Sequence, residues 1–505
     1  MIERSLRHVV FVILGCFVVL FVQLNRVQVL DAESLRQHPA NTRTVQRDFN
    51  RARGPIVTSD GQVVAKSVAS DGPFERQRQY PFGDLYAHSA GYLSFNVGAD
   101  GLERSSNDAL VGRTASLQLG GLAGLLGEED PTGEVVMTIR HDLQTAARDA
   151  LGERKGSVVM LDPRTGAVLA LWSWPSFDAN ALASHSGVAV NEAFAALNAA
   201  EGNPLRAATY RDVFFPGSTF KVVTAAAGLS TGVASLTSPV FDAADSYTPP
   251  GTTRPLSNFG GATCGGDLVE MLRVSCNTAF AKLGAEFLGP TRLIEQAQQF
   301  GFNSVPPFDL PGTVASRFPT DFGDELAPPS FELPAGRFEN TPALAQASIG
   351  QNDVAASPLQ MALVAAAIAN DGVIMEPHVV ESIRDIKGDV VDETDAEAWV
   401  QAIPPTVAAD LRMALRNVVD NGTAQAAAVP GLVVGAKTGT AQLGTDPPRS
   451  HAWMIAFAGP QNAPPEVVVA VLVEGVDGSA DQTGGRAAGP IVRALIETYD
   501  RSTGD

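Results

Sequence analysis

The sequence is poor in cysteine, in lysine and in long apolar runs, and its charge is strongly one-signed. Three cysteines (Cys16, Cys264 and Cys276) and seven scattered histidines form no cluster at metal-ligand spacing, which argues against a metal centre. A net charge of −19 argues against nucleic acid or another extended polyanion as partner. Only six of the 36 basic residues are lysines: Lys66, Lys155, Lys221, Lys282, Lys387 and Lys437. A lysine inside a motif therefore carries more weight than usual. Internal repeats and low-complexity tracts are lacking. With 45% hydrophobic and 18% charged residues the composition is globular, and 505 residues suffice for two or three domains with cores of their own.

The one long apolar run lies near the N-terminus. Val9 to Val22 is fourteen apolar residues without a break, and Leu6 to Leu24 stretches this to nineteen, interrupted by Arg7, His8 and Gln23. Nineteen is about enough to cross hydrocarbon. The following "QLNRVQVLDAESL" lacks a small-x-small cleavage site, and Leu24, Val27 and Leu30 continue at helical spacing. The run is expected to be an uncleaved signal anchor. Arg4 and Arg7 before it place the N-terminus inside the cell and the remainder outside, in a plasma membrane crossed once. Cys264 and Cys276 then lie where oxidation is possible, and either pair as a disulfide or stand as two buried thiols.

Past the anchor, "RGPIVTSDGQVVAKS" (Arg53 to Ser67) reads as a β-hairpin around Ser59-Asp60-Gly61. Gly112 to Gly133 is a Gly- and Leu-rich connector. "EVVMTI" from Glu134 predicts a strand, and "RHDLQTAARDALGERK" a helix. "GSVVMLDPRTGAVLALWSWP" predicts a second hairpin turning at Asp162 to Gly166. Alanine-rich helices fill the middle. Three strand-like runs, "GLVVGAKTGTAQ", "HAWMIAFAGP" and "EVVVAVLVEGV", and a final helix close the chain. This order predicts an α+β domain whose single sheet is built from both ends of the segment.

Three short elements could carry chemistry. In Ser218-Thr219-Phe220-Lys221, two residues three apart share a helix face, so Lys221 Nζ can reach Ser218 Oγ. A neutral lysine there can act as general base, and desolvation lowers its pKa. Standing alone, Ser218 reads more readily as a helix cap than as a nucleophile. Ser275-Cys276-Asn277 is one of three Ser-x-Asn copies, beside Ser94-Phe95-Asn96 and Ser105-Ser106-Asn107, and alone it reads as a turn with a capping asparagine. Lys437-Thr438-Gly439 occurs once. A phosphate loop would need glycine directly before the lysine and a helix after it, whereas Ala436 intervenes and a strand-like run follows. A strand bordering a cleft fits better, with Gly439 permitting close approach of a ligand. The order is more specific than any member. Ser-x-x-Lys, Ser-x-Asn 57 residues on and Lys-Thr-Gly 162 further is the layout of the acyl-serine transferases that include β-lactamases and penicillin-binding proteins.

On these residues the chain resembles a class B penicillin-binding protein, a D,D-transpeptidase of peptidoglycan synthesis. "NPLRAATYRDVFFPGSTFK", "SCNTAFAKLG", "ASIGQNDVAASPLQMALVAAAIANDGV" and "KTGTAQ" are close to that family's wording, and "RGPIVTSDG" resembles the opening of its non-catalytic domain. The short N-terminal domain and the Ala- and Arg-rich composition resemble the actinobacterial penicillin-binding protein A type. The resemblance implies a tail and transmembrane helix over 1–30, a small mixed non-catalytic domain over 31–150, and a transpeptidase domain over 151–505. That last domain would be an antiparallel sheet flanked by helices plus an all-helical subdomain, with no room left for a glycosyltransferase domain.

Carried over residue by residue, the resemblance makes Ser218 the nucleophile toward D-Ala-D-Ala and Lys221 its base. Ser275 relays a proton to the leaving D-Ala, and Asn277 binds the substrate amide. Lys437 supplies positive charge, Thr438 and Thr440 hold the terminal carboxylate beside Gly439, and the backbone N–H groups of Ser218 and Thr440 form the oxyanion hole. No cofactor is implied. The implied partners are stem peptides, β-lactams and a membrane glycan polymerase of the SEDS type. The alternatives are a D,D-carboxypeptidase, a β-lactamase and a non-catalytic β-lactam sensor. A β-lactamase of class A needs a glutamate soon after Ser-x-Asn, and only Glu295 is offered, in a helix-like run. Arg206, Arg211 and His451 are polar residues near the motifs and read as structural.

Overall fold

A computed structural model describes residues 2–30, 49–120 and 132–503, apart from positions 332, 478, 480 and 481. The apolar run forms α1 (Ile2–Asn25), which continues into a π turn, Arg26–Leu30. Its stretch Val10–Gln28 has a mean hydropathy of 2.2 and none of it is buried against the protein. At 1.5 Å per residue that stretch covers about 28 Å, close to the hydrocarbon thickness of a bilayer. Among the described residues it is the one helix long and apolar enough to cross a membrane, as a single-pass anchor requires. Of the Gly- and Leu-rich connector, Ala115–Gly120 is helical and 121–131 lie outside the described residues.

The predicted hairpin is present as β1 (Ile56–Val57) and β2 (Val63–Ala69), followed by β3 (Arg76–Gln79). Then come β4 (Glu134–Met137), α2 (His141–Leu151), and the second predicted hairpin, β5 (Gly156–Leu161) and β6 (Val168–Trp174). The middle of the chain supplies α3 (Lys221–Ser230), α4 (Leu268–Arg273), α5 (Asn277–Lys282) and α6 (Pro358–Ala369). The hairpin β7 (Val380–Arg384) and β8 (Val390–Glu393) and helix α7 (Pro405–Asn421) follow. The chain closes with β9 (Leu432–Gln442), β10 (Ser450–Pro460), β11 (Val467–Val473) and α8 (Gly489–Thr503).

These strands make two principal sheets. The larger domain holds a five-stranded antiparallel sheet in the order β9-β10-β11-β5-β6, so strands from both ends of the segment meet side by side. Every residue of β11 is buried, which requires cover on both faces. α6 packs across β5, β10 and β11, while α2 and α8 pack on each other and on the sheet. All twelve residues of α6 are buried, which its all-round apolar composition demands. Ser357 caps it by accepting from Gln360 N–H at 3.1 Å.

The N-terminal sheet has an order that local pattern does not reveal, β8-β7-β4-β1-β2-β3. Its outer two strands come from the segment after α6, and β7 pairs antiparallel with β4. Inside this domain Glu103 is fully buried between Arg53 (2.6 Å) and Arg78, and it also accepts from Tyr80 Oη at 3.1 Å. Two guanidiniums hold its carboxyl below the usual range even though burial alone would push it up. A second clamp joins the two domains: Arg211 donates to both oxygens of Asp100, at 2.7 and 2.6 Å, and to the Pro311 carbonyl.

Candidate active site

The stretch "PGSTFK" alternates between core and cleft. Gly217–Thr219 is a single tight turn that runs directly into α3. Phe220 is fully buried, stacked on Phe318 with ring centroids 5.3 Å apart and edge-on to Phe302. Thr219 turns inward too, its hydroxyl donating to the Pro216 carbonyl at 2.8 Å. With both neighbours anchored, Ser218 is left half-buried on the wall of a cleft of about 1560 Å³. No side-chain cap closes the start of α3, and among the described residues Ser218 Oγ accepts and donates no hydrogen bond. The capping reading therefore fails, and the hydroxyl is free for other use.

Lys221 lies beneath it, fully buried. Its Nζ donates to the Ser275 carbonyl at 2.6 Å and to Asn277 Oδ1 at 2.7 Å, and stands 3.3 Å from Ser275 Oγ. The expected contact with Ser218 Oγ is thus not a hydrogen bond here; the ammonium nitrogen is drawn toward the Ser-x-Asn turn. Burial lowers the Lys221 pKa well below its ordinary value, and the charge of Lys437 lowers it further. A neutral amine has two N–H groups and one lone pair. In that form two N–H groups can keep the Ser275 carbonyl and Asn277 Oδ1, and the lone pair can take a proton.

Lys437 enters from β9, opposite Ile455 of β10. It is also fully buried, and its Nζ donates to Ser275 Oγ at 2.8 Å and to the Thr438 carbonyl at 3.0 Å. Desolvation lowers its pKa to about 7. Neither lysine has a carboxylate partner among the described residues. Ser275 therefore sits between two amines of low proton affinity. It follows α4 in the left-handed region, φ 60°, a conformation that side-chain-bearing residues hold only when their surroundings enforce it.

Glycine lets β9 and the serine turn touch. A Cβ on Gly439 would meet the Pro216 carbonyl and Thr219 Cγ2 at 2.9 Å, and Gly217, at φ 53°, faces the Thr440 carbonyl in the same way. Trp453 on β10 reaches across to donate from Nε1 to the Phe215 carbonyl at 3.0 Å, which pins the turn to the sheet. Thr438 and Thr440 line the cleft with Ser218, Ser275 and Asn277. All eight residues singled out in the three motifs and at Thr440 thus converge on one cleft or its wall.

Cys264 and Cys276 are joined in a disulfide, Cα atoms 5.8 Å apart. The other two Ser-x-Asn copies lie in the N-terminal domain and not at the cleft. Arg206, Arg211 and His451 are not among the cleft residues. Arg206 pairs with Asp212, Arg211 with Asp100, and His451 accepts from Gly475 N–H at 3.0 Å. Burial lowers the His451 pKa to about 4, so this ring is neutral at physiological pH. Glu295 is exposed on the helix Gly289–Gln299 and does not line the cleft. Glu270, the carboxylate that does, is bound by Arg273 through two contacts of 2.6 Å.

Two residues of the site carried no signal in the sequence. Thr423, after α7, shares a 2.7 Å hydroxyl contact with Thr438. Asn258 accepts from the N–H groups of Asn277 and Thr278 at 2.9 and 3.0 Å. Each acts on its motif from a separate segment fifteen to twenty residues upstream, outside the reach of a short motif, so no local pattern marks it.

An antiparallel sheet with a serine on the turn leading into a helix, two buried lysines and a shared second serine defines a serine acyltransferase of the penicillin-binding and β-lactamase fold. Comparison with known proteins agrees. The family profile described as "Penicillin binding protein transpeptidase domain" matches residues 156–497, and "Penicillin binding protein A dimerisation domain" matches residues 53–136. The chain is similar to "Peptidoglycan D,D-transpeptidase PbpA" of Mycolicibacterium smegmatis, 40% identical over 509 residues and covering 98% of each chain. It is 38% identical to the protein of the same name from Mycobacterium tuberculosis, over 507 residues and again 98% of each. Among solved structures, penicillin-binding protein A from M. tuberculosis as a ceftriaxone acyl-enzyme superposes with a TM-score of 0.80 at 37% identity, covering 90% of this chain and 99% of that one. Its penicillin G acyl-enzyme complex gives 0.78 at 38% identity, covering 89% and 99%. The chain belongs to the class B penicillin-binding proteins, the family of peptidoglycan D,D-transpeptidases.

Proposed function

We propose that this chain cross-links peptidoglycan stem peptides through an acyl-enzyme on Ser218, with loss of the terminal D-Ala, and that β-lactams acylate the same residue. The observation that carries this reading is the pair of buried lysines meeting at Ser275 behind an unencumbered Ser218. Ser218 Oγ attacks the penultimate D-Ala carbonyl as its proton passes to the lone pair of Lys221. Expulsion of the terminal D-Ala needs a proton on its nitrogen. Ser275 Oγ, 3.3 Å from Lys221 Nζ and 2.8 Å from Lys437 Nζ, is the relay that returns it. The amine of a second stem peptide then attacks the ester, gives up its proton by the same route and releases Ser218.

Lys437, with the hydroxyls of Thr438 and Thr440, receives the substrate's terminal carboxylate beside Gly439, and Asn277 Nδ2 meets its amide. The N–H groups of Ser218 and Thr440 serve as the oxyanion hole, and donors aimed there commonly contribute about 3–4 kcal/mol to such a reaction. α1 is oriented by Arg4 and Arg7 with its N-terminus cytoplasmic, so catalysis takes place outside the cell membrane. The anchor and N-terminal domain are the surfaces offered to a membrane-embedded glycan polymerase of the SEDS type. Co-purification that survives deletion of residues 1–110 would remove the anchor and N-terminal domain as its docking surfaces.

Intact-protein mass spectrometry after exposure to penicillin tests the reaction. A lasting adduct that disappears in Ser218→Ala, with the fold retained, is expected; rapid loss of the adduct would mark a β-lactamase. Labelling that persists in a folded Ser218→Ala protein would refute the nucleophile.

A further inference from the structure

α5 begins without a cap of its own. Cys276, the residue before it, makes no side-chain cap bond, and its sulfur is committed to Cys264. Asn258, nineteen residues upstream of Asn277, does this work instead: its Oδ1 accepts from the first two N–H groups of the helix. Its Nδ2 donates to the carbonyls of Ala244 and Ala262, both at 2.8 Å. Those residues belong to the insert whose strands Phe241–Ala244 and Cys264–Gly266 pair beside the cleft. Asn258 is 7% exposed and the main bonding positions of its carboxamide are taken, so its orientation is determined.

The consequence falls on Asn277 itself and on Ser275, two residues before it. The Asn277 whose N–H is held by Asn258 presents its Oδ1 to Lys221 at 2.7 Å. The residue two before it, Ser275, is held in the left-handed region with its hydroxyl between two amines. Such a turn has few intrinsic reasons to stay where it is. It is fastened at Cys276 by the disulfide and at Asn277 and Thr278 by Asn258.

We propose that Asn258 is a positioning residue for acyl transfer: it sets the Ser275–Asn277 turn so that Lys221 and the proton relay stay in register with Ser218. This rests on the acyl-transfer reading above. Asn258 lines the cleft wall but is spent on backbone groups, so its removal acts on the rate of bond formation more than on binding of the ligand.

The test measures penicillin acylation by stopped flow, separating the dissociation constant of the non-covalent complex from the acylation rate constant. In Asn258→Ala the rate constant is expected to fall about 10- to 100-fold, the loss that misplacement by a fraction of an ångström to an ångström brings. The dissociation constant should stay within about threefold of wild type, the scatter expected when no ligand contact is removed. Should that variant fail to fold, Asn258→Ser is read in the same way, since its hydroxyl ends one atom short of the amide oxygen. An unchanged rate constant in a variant of lowered melting temperature would reduce Asn258 to a scaffold residue and overturn the proposal. Equal losses in binding and rate would do the same. Failure of the wild-type protein to be acylated would instead strike the functional reading itself.

Discussion

Lys437 should cost the protein stability. Its pKa falls from an ordinary 10.5 to about 7 because the ammonium is fully buried, and among the described residues no carboxylate stands beside it. That shift is equivalent to about 4–5 kcal/mol against the folded state wherever the lysine is charged both folded and unfolded. Lys437→Met keeps the apolar stem and removes the charge. It also forfeits the bonds to Ser275 Oγ and the Thr438 carbonyl, about 1 kcal/mol each. A net gain of about 2–3 kcal/mol is expected at pH 7, a rise of roughly 3–4 °C in the melting temperature of a domain of this size. Relief of Lys221, whose pKa the Lys437 charge lowers, works in the same direction.

The sign with pH follows from linkage. At or below about 7 the wild-type lysine is charged both folded and unfolded, and the whole burial cost is present. Between about 7 and 10.5 it is neutral when folded and protonated when unfolded, so the cost shrinks as pH rises and vanishes above 10.5. Thermal unfolding of wild type and variant at pH 6, 7 and 9.5 therefore should show an advantage for methionine that narrows upward. Acylation by a carboxylated β-lactam should meanwhile slow, since the positive charge is lost. A variant no more stable than wild type at pH 7, or an advantage indifferent to pH, would refute the reasoning.

Lys221→Arg should abolish acylation at every pH, because a guanidinium cannot give up its proton; turnover by that variant in a gel assay with fluorescent penicillin would remove Lys221 as base. In the wild-type protein the acylation rate should rise with pH through the lowered range of Lys221, and a rate flat from pH 5 to 9 would contradict this. Gly439→Ala places a methyl 2.9 Å from the Pro216 carbonyl and should cut the acylation rate by about 100-fold through displacement of the serine turn; circular dichroism separates this from unfolding. Arg211→Ala breaks the clamp on Asp100 and should lower stability by about 1–3 kcal/mol in urea titration while leaving the acylation rate constant unchanged.

The reading of the chain succeeded where the determinants are local. Alternating apolar residues with turn chemistry marked β5, β6 and their turn at Asp162 to Gly166, and the nineteen-residue apolar stretch marked α1. The order of the three motifs marked the chemistry, because acyl transfer restricts which residue types can serve. The same pattern could not say that β7 and β8 complete the N-terminal sheet, since strand pairing depends on edges brought together by the intervening helices. Nor could it choose between a disulfide and two thiols for Cys264 and Cys276, a matter of distance in space.

Ser218 divides the two kinds of information most clearly. Sequence by itself established a serine three residues before a lysine, ahead of a second serine and a second lysine in a set order. Whether that serine caps a helix or stands free was decided by tertiary packing. Phe220 and Thr219 are taken into the core, β9 closes against the turn at Gly439, and Lys221 is buried with no carboxylate partner among the described residues. Burial is a property of the assembled chain. It is burial that strips the two lysines of water, lowers their pKa values and turns a common tripeptide spacing into a base and a relay.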